Sequence, residues 1–447
     1  MRLAQHSHHS PDSRRNSNLF LPKLPPHYIT SIFSCVFSSV CSDDENNISK
    51  QFNIVPESDI DLSFSPVIPE YARRSTAEIV ADEGYESQIH YAVAEDGFML
   101  ELVRIEGQYA SPNYPVLLVH GLLFTSAMWL YAGREMNLAY KLVDQGTEVW
   151  LATFRGGRGS QRHKTLSVDS DEYWNFGYDE VAKFDIPAII EYVLHASGKE
   201  KVNYIGHSMG GSVYFAMCNY KPDLCMNGVN LMIGLGTHAT VHSMNSPAPR
   251  YLSKSYTTLY GRTSFRNTYG SKSFLPLPDL MRDLASKFCT YSLHSAGMCR
   301  MGLFLIVGPT DLNVTTESLG YLMANYPSTT SVKLLEHYIQ FISRKQWAKF
   351  DYESIENFFK YGTIYPPSYS LSYVTTPVAL FHSDWDMFCS PKDTAFLIRG
   401  LPNMVYEKNM NRTWYSHGDY MYNADNSLLH SSILQLLKEN FTLEASL

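Results

Sequence analysis

The sequence lacks the features that mark membrane-spanning, nucleic-acid-binding or disulfide-scaffold proteins. Across 447 residues no run approaches the ~18 apolar residues that a bilayer span requires, which excludes a polytopic membrane protein. The formal net charge is −8, so there is no electrostatic reason to expect nucleic acid as a partner. Seven cysteines are too few for a disulfide scaffold, and their odd number leaves at least one outside any intrachain pair.

The composition supports a large folded core. Hydrophobic residues make up 45% of the chain and aromatic residues 13%, enough for one large domain with an insertion or for two to three ordinary domains. From about residue 115 to 236, short apolar runs alternate with segments that suit helices. The runs at 115–119 and 229–235 are continuous, as expected of strands buried on both faces. The pattern predicts an α/β fold with a mostly parallel sheet and helices on both faces.

This alternation is interrupted once along the chain. Residues 237–370 are rich in Ser, Pro and aromatic residues, with scattered helical stretches, and regular alternation resumes after them. The simplest organisation is one α/β domain, formed by residues 66–236 and 371–447, into which a helical cap or lid is inserted. Ahead of the alternation, 89–93 and 98–105 predict a pair of strands joined by a turn.

The N-terminal part of the chain has a different composition. Residues 1–65 predict an extension that is mostly disordered. Within it, 28–42 combines an apolar stretch with small residues near its end, which is typical of a secretory signal, but the leader before it is long for one. The alternative is a disordered or mis-started N-terminus. Four candidate N-glycosylation sites favour the secretory pathway: Asn47, Asn313, Asn411 and Asn440.

The pentapeptide Gly206-His207-Ser208-Met209-Gly210 carries the strongest chemical signal. It follows an apolar run rich in β-branched residues and precedes a segment that suits a helix. That context is typical of a nucleophile elbow, a sharp turn that exposes a serine hydroxyl above the sheet. The pattern predicts Ser208 as the nucleophile, with the N–H of Met209 directed at a forming oxyanion. A plain glycine-rich turn is the alternative.

A serine hydroxyl needs a base, and the base needs a carboxylate that orients it. In hydrolases with this elbow the acid and then the histidine follow the serine along the chain. His417 lies in a loop between the last predicted strand and the last helix, which favours it as the base over His382 and His430. Asp384 and Asp386 both follow a buried strand, and the order alone leaves the choice between them open.

Several segments resemble the acid lipases, the family of gastric lipase and lysosomal acid lipase. The resemblance covers roughly residues 66–440 and implies a secreted or lysosomal serine hydrolase of neutral lipid esters, active at a lipid–water interface, with a cap and a mobile lid. It implies no metal or organic cofactor and leaves the oligomeric state open. The segments are Glu95–Leu100, Gly121–Leu123, Tyr173–Glu180, Phe184–Ala188, Gly206–Ser208, Asp386 with Pro391, and Tyr415–Asp419.

The resemblance also assigns roles to individual residues. It implies Ser208 as nucleophile, Asp386 as acid and His417 as base, with the backbone N–H groups of Leu122 and Met209 as the oxyanion hole. In addition, Cys289 and Cys299 are placed like a disulfide in the family's cap.

The sequence departs from the family pattern in three places. Met209 replaces a glutamine, 154–159 replaces an Arg-Gly-Asn pattern, and 1–65 has no counterpart. The cap matches loosely, so a sterol-ester hydrolase and a short-chain esterase remain alternatives. From another class, an inactive lipid-binding relative is the third alternative, and the intact Ser, Asp and His motifs argue against it.

Overall fold

The computed structural model describes residues 74–107, 113–274, 276–308, 310 and 316–439. The expected N-terminal extension 1–65, with its candidate signal segment 28–42, lies outside these residues. So do three of the four candidate glycosylation sites, Asn47, Asn313 and Asn440; only Asn411 is described, and its side chain is exposed on a turn.

Nine strands of the described chain form one mixed sheet. Its order is β1-β2-β4-β3-β6-β7-β10-β11, with β5 paired to β2. The predicted pair β1 and β2 is antiparallel, as are β2 and β4, whereas every pairing from β4 through β11 is parallel. The strands of this sheet are β1 Ser87–Val93, β2 Phe98–Ile105, β3 Val116–Val119, β4 Val149–Ala152, β5 Arg162–His163, β6 Val202–His207, β7 Val229–Leu235, β10 Val378–His382 and β11 Met404–Asn409.

Helices cover both faces of the sheet, as the alternation predicts. On β3, Leu117 and Val119 pack into one core layer and Leu118 into the other, because successive side chains of a strand point to opposite faces. Helices α4 and α5 belong to the first layer, and α2 and α16 to the second. The helices outside the insertion are α1 Thr76–Asp82, α2 Leu138–Asp144, α3 Tyr178–Glu180, α4 Ile186–Ser197, α5 Met209–Met217, α6 Pro222–Asn227, α14 Pro391–Gly400, α15 Asp419–Tyr422 and α16 Ser427–Leu436.

The chain between β7 and β10 is more helical than its sequence indicates. Its described part contains seven helices and the two-stranded sheet of β8 Ser273–Phe274 and β9 Thr330–Ser331. In helix α10, Leu293–Val307, the apolar residues are distributed around the helix axis, so it lacks the 3.6-residue pattern by which a surface helix is recognised in a sequence. The seven helices are α7 Pro247–Tyr256, α8 Gly261–Tyr269, α9 Asp279–Tyr291, α10 Leu293–Val307, α11 Thr316–Asn325, α12 Val332–Arg344 and α13 Ser354–Tyr361.

Two disulfides join neighbouring helices. Cys289 and Cys299 link α9 to α10, the pairing that the family resemblance implies, and Cys218 and Cys225 link the end of α5 to α6. Cys389 is a buried free thiol. Among the described residues, none of the helices combines the length and the apolar character needed to cross a bilayer.

Candidate active site

Ser208 stands at the turn between β6 and α5 in a strained backbone conformation. Its φ is 53° and its ψ is −119°, a region that a residue with a side chain rarely adopts. The two glycines of the pentapeptide allow the turn to pass close to other backbone. A Cβ on Gly206 would lie 2.4 Å from the Gly211 nitrogen, and one on Gly210 would lie 2.4 Å from the Val119 oxygen. The turn therefore has the geometry of a nucleophile elbow.

The structure brings Ser208, His417 and Asp386 into one hydrogen-bonded series. The Ser208 Oγ lies 2.8 Å from His417 Nε2, and the Asp386 Oδ2 lies 2.9 Å from His417 Nδ1. Because an ionised carboxylate only accepts, Nδ1 carries the proton and Nε2 is free to accept the serine hydroxyl. The three side chains come from the ends of β6, β10 and β11, which all lie at the carboxyl edge of the parallel sheet.

The two carboxylates that the sequence left open are in different environments. Asp386 is buried, and its second oxygen accepts the backbone N–H groups of Phe388 and Cys389 at 2.9 and 2.8 Å. Asp384 is exposed and accepts from the Asn409 side chain at 3.0 Å. Of the two carboxylates, only Asp386 has a hydrogen bond to His417 among the contacts of the described residues.

Two aromatic rings hold the imidazole of His417 in place. Phe388 stacks on it with centroids 4.9 Å apart and an interplanar angle of 25°, and His207 lies 4.9 Å away at 42°. In addition, His207 Nε2 donates to the His417 carbonyl oxygen at 3.0 Å. Burial, and then the nearby His417, hold the pKa of His207 well below its ordinary value, so His207 is a neutral donor. No pattern in the sequence assigns this role to either residue, although His207 belongs to the pentapeptide around Ser208.

The two other histidines considered from the sequence have structural contacts. His382 Nε2 lies 2.5 Å from Glu407 Oε1 across the pair β10 and β11. His430 lies on the buried side of α16, where burial lowers its pKa to about 4.

The loop that follows β3 passes directly beside the elbow. A Cβ on Gly121 would lie 2.9 Å from His207 Nδ1 and 3.3 Å from Ser208 Cβ, so the loop needs a glycine at this point. Leu122 comes next in the chain. On the other side, Met209 is the first residue of α5, and N–H groups in the first turn of a helix have no intrahelical acceptor. Both backbone donors that the resemblance implies thus lie on segments adjoining Ser208.

The segment 154–159, which departs from the family pattern, is anchored by a buried ion network. Arg155 is fully buried and pairs with Asp96 and Asp185, each at 2.6 Å. Its guanidinium also lies over the Phe98 ring at 4.0 Å. Burial lowers the pKa of Arg155, but the coulombic attraction of Asp185 and the contacts with Asp96 together outweigh it, so the pKa is raised above its ordinary value.

Helices of the insertion close the site from above. Ser208, Asp386 and His417 are all buried, and the cavity beside His417 measures only about 20 Å³, room for roughly one water molecule. Apart from His207, His417 and Gly418, the walls of the cavity are aromatic or aliphatic: Phe124, Leu303, Val307, Leu322, Tyr326 and Tyr422.

Two serine hydroxyls fasten the carboxyl end of α10 to the rest of the protein. Ser416 Oγ donates to the Val307 oxygen, and Ser246 Oγ donates to the Ile306 oxygen. These carbonyls belong to the last turn of a helix, where they have no intrahelical donor. Because Ser416 immediately precedes His417, the same loop holds both the end of α10 and the imidazole.

Comparison with known proteins defines the class first. A family model described as the alpha/beta hydrolase fold matches residues 114–411, and a second, described as a partial alpha/beta-hydrolase lipase region, matches 76–133. The elbow, the hydrogen-bonded series and the sheet order agree with that class.

Curated relatives narrow the class to one family. Lipase 1 of Drosophila melanogaster is 30% identical over 81% of this chain and 79% of its own length. The human lysosomal acid lipase/cholesteryl ester hydrolase is 30% identical over 82% of this chain and 91% of its own, and the gastric triacylglycerol lipase of Bos taurus is 28% identical over 83% and 92%. The chain belongs to the acid lipase family of α/β hydrolases, and it is a carboxylic ester hydrolase of the lipase type.

Proposed function

We propose that Ser208, His417 and Asp386 are the catalytic triad of a lipase that cleaves neutral lipid esters through an acyl-enzyme. The observation that carries this proposal is the series of two hydrogen bonds, 2.8 and 2.9 Å, that joins the three side chains at the elbow. His417 takes the proton of Ser208 as the hydroxyl attacks the ester carbonyl, and it then protonates the leaving alcohol. Water then attacks the acyl-enzyme through the same proton transfers, and the fatty acid is released.

The other residues of the site support each charge that develops. The carboxylate of Asp386 holds the Nδ1–H tautomer of His417 and stabilises the imidazolium. The backbone N–H groups of Leu122 and Met209 donate to the oxyanion, each contributing roughly 3–4 kcal/mol. Because both donors are main-chain groups, the replacement of the family's glutamine by Met209 leaves both of them in place. No step requires a metal or an organic cofactor.

An apolar substrate fits the lining of the site. The walls above His417 are aromatic and aliphatic, and each buried CH₂ of an acyl chain contributes about 0.8 kcal/mol. The relatives include a cholesteryl ester hydrolase and a triacylglycerol lipase, which agree with a neutral lipid ester as substrate. A short-chain esterase is the alternative within the same chemistry.

We propose that the insertion 237–370 is a cap with a mobile part, which is supported by the small cavity beside His417, about 20 Å³, that leaves no room for an acyl chain. The hairpin Asp279–Val307, here called the cover hairpin, places Leu303 and Val307 against the site. Its outer side exposes large apolar side chains: Leu280, Met281, Leu284, Phe288, Tyr291, Leu293, Met298 and Met301. A lipid surface can bind such a face and thereby favour an open cover.

We infer a secreted or lysosomal location from two supports. The relatives include lysosomal and gastric lipases. The pairs Cys218–Cys225 and Cys289–Cys299 are also typical of an oxidising compartment. Glycosylation at Asn411, on an exposed turn, is compatible with this location.

The decisive experiment compares the protein with Ser208→Ala. The unaltered protein should react with a fluorophosphonate at Ser208 and hydrolyse triacylglycerols and cholesteryl esters. Its kcat/KM should rise from C4 to at least C10 esters, with further activation above the concentration at which substrate aggregates. Ser208→Ala should fold normally and lose labelling and hydrolysis. Full labelling of the variant would reject the triad, and a C2–C4 optimum without interfacial activation would favour the short-chain esterase.

A further inference from the structure

A buried thiol lies against the acid and base of the proposed triad. Cys389 Sγ, an oxygen of Asp386 and a ring nitrogen of His417 all lie within 4.8 Å of one another, and all three residues are buried. Cys389 is a free cysteine, and the turn that holds it is fixed, because its own N–H donates to Asp386 at 2.8 Å. The mechanism of ester hydrolysis does not use the thiol.

The surroundings of the thiol supply further donor atoms. Cys389 Sγ donates to the Gly236 carbonyl oxygen at 2.8 Å, and it lies 3.5 Å from His238 Nδ1. Burial, with a smaller contribution from nearby His417, lowers the pKa of His238 to about 3, so this ring is neutral and has a lone pair to offer. Asp386, Cys389 and His417 themselves combine carboxylate oxygen, sulfur and imidazole nitrogen, and His238 lies next to this set without belonging to it.

This donor set has the chemistry of a zinc site. Zn²⁺ binds thiolate at about 2.3 Å and imidazole nitrogen or carboxylate oxygen at about 2.0 Å, usually with tetrahedral geometry. Three protein donors leave the fourth position for water. We propose that Asp386, Cys389 and His417 form an inhibitory site for a thiophilic divalent cation of the Zn²⁺ class. The inhibitory part of this proposal rests on the proposed function, because the cation acts by occupying the triad.

The coordination chemistry explains why the bound cation would stop hydrolysis. The cation gains bonds to Sγ, Oδ2 and Nδ1, and the thiol proton leaves to solvent, because a coordinating thiol is deprotonated. The proton on Nδ1 of His417 is also released, and Nε2 takes one up, so the net loss is one proton per cation bound. A neutral imidazole bound through Nδ1 carries its single proton on Nε2. That nitrogen faces the Ser208 hydroxyl at 2.8 Å, so it donates where it must accept. His417 can then no longer take the proton of Ser208.

Binding can be measured without catalysis. The test protein is the full chain with Ser208→Ala, which retains all three donors, and with Cys35 and Cys41 replaced by Ser so that neither contributes a thiolate. Titration with Co²⁺ or Cd²⁺ should produce a thiolate charge-transfer band that saturates at one ion per chain. Adding Cys389→Ser should abolish the band. A band that persists in this variant, or no band in the parent protein, would overturn the site.

A second measurement tests inhibition and separates the two proposals. Zn²⁺ should suppress fluorophosphonate labelling and ester hydrolysis of the protein with intact Ser208, EDTA should restore both, and Mg²⁺, which prefers oxygen ligands, should not inhibit. In Cys389→Ser and Cys389→Ala, each normalised to its own metal-free rate, most of the inhibition should be lost. Equal inhibition in these variants would reject a role for the thiol. Absence of labelling before any metal is added would instead contradict the proposed function.

Discussion

The carboxyl edge of the sheet and the cover hairpin meet at His417, but different interactions hold the two regions. At the sheet edge, Ser208, Asp386 and His417 are fixed by backbone bonds, by aromatic stacking and by a turn that only glycines permit. The cover hairpin is held by a disulfide, by apolar contacts and by hydroxyls that bind its last carbonyls. The first region is suited to fixed geometry, and the second to movement.

The difference also appears in exposure. The residues of the sheet edge are buried, whereas the cover hairpin has apolar side chains on both its inner and its outer side. Leu293, at the start of α10, is 86% exposed, so nearly all of its apolar side chain is in contact with water. The sheet edge is thus enclosed by the protein, whereas the outer side of the cover hairpin leaves large apolar side chains in contact with solvent.

The largest effect should come from the sheet edge itself. We expect Asp386→Asn to lower kcat by about 10⁴-fold, because an amide stabilises the wrong tautomer of His417. Asp384→Asn is the matched control, since this carboxylate is exposed and bonds only to Asn409 among the contacts described. Burst kinetics with a chromogenic ester measure the acylation rate. Exchanged phenotypes would make Asp384 the acid of the triad.

The disulfide of the cover should have the next largest effect, and it should be local. Cys289→Ser with Cys299→Ser opens a loop of 10 residues, and loop-closure entropy gives a cost of about 3 kcal/mol. At short exchange times, amides of α9 and α10 should exchange faster, whereas amides of β6, which exchange only on global unfolding, should remain protected. Peptide mapping of the unaltered protein without reductant should recover the linked pair. Two freely alkylated cysteines, or equal acceleration in β6, would contradict this prediction.

The sheet edge should also be sensitive to acid through a buried histidine. His120 donates from Nδ1 to the Gly121 oxygen at 2.8 Å, and its Nε2 accepts the Phe154 N–H at 3.0 Å, so the ring is neutral. Burial lowers the pKa of His120 to about 4 from an ordinary value of 6.5. The unfolded chain therefore binds a proton first as the pH falls, and the free energy of unfolding decreases between pH 6.5 and 4.

The contribution of His120 to this loss is about 3 kcal/mol when complete, at roughly 1.4 kcal/mol per pKa unit. His120→Gln keeps an acceptor for Phe154 but does not titrate. Denaturant unfolding at a series of pH values should therefore give a shallower decrease for this variant. His195→Gln, on the exposed side of α4, is the control and should leave the slope unchanged. An unaltered slope in His120→Gln would disprove the assignment.

The smallest effect should come from one hydroxyl on the cover. Ser246→Ala removes a bond to the last turn of α10, and a neutral hydrogen bond contributes about 0.5–1.5 kcal/mol. We expect hydrolysis of monomeric substrate to rise by about two- to tenfold, because the closed cover loses that stabilisation. The rate on aggregated lipid should change little.

A matched control for this variant lies on α16. Ser431→Ala removes an equivalent bond from a hydroxyl to the Leu428 carbonyl at 3.1 Å, far along the chain from the insertion. It should leave both rates unchanged. A lower rate of Ser246→Ala on monomeric substrate would indicate that the hydroxyl supports the open state.

Local patterns in the sequence were enough to predict a mostly parallel sheet, the elbow and the order of Ser208, an acid and His417. These features follow from local chemistry: continuous apolar runs predict buried strands, and Gly206 and Gly210 are required where backbones nearly touch. The resemblance to the acid lipases, drawn from short motifs, added Asp386 and the cap. The predicted strands 89–93, 98–105, 115–119 and 229–235 begin and end within two residues of those observed.

The groups that surround the imidazole and the closure of the site depend instead on contacts between segments that lie far apart in the sequence. Asp384 and Asp386 differ in the structure because one faces solvent and the other receives two backbone N–H groups, a distinction that two residues of spacing do not encode. The stacking of Phe388 and the proximity of Cys389 depend on how loops from β6, β10 and β11 converge. Helix α10 covers the site because packing determines which of its sides faces the protein. Its own sequence has no periodic pattern that would predict this side.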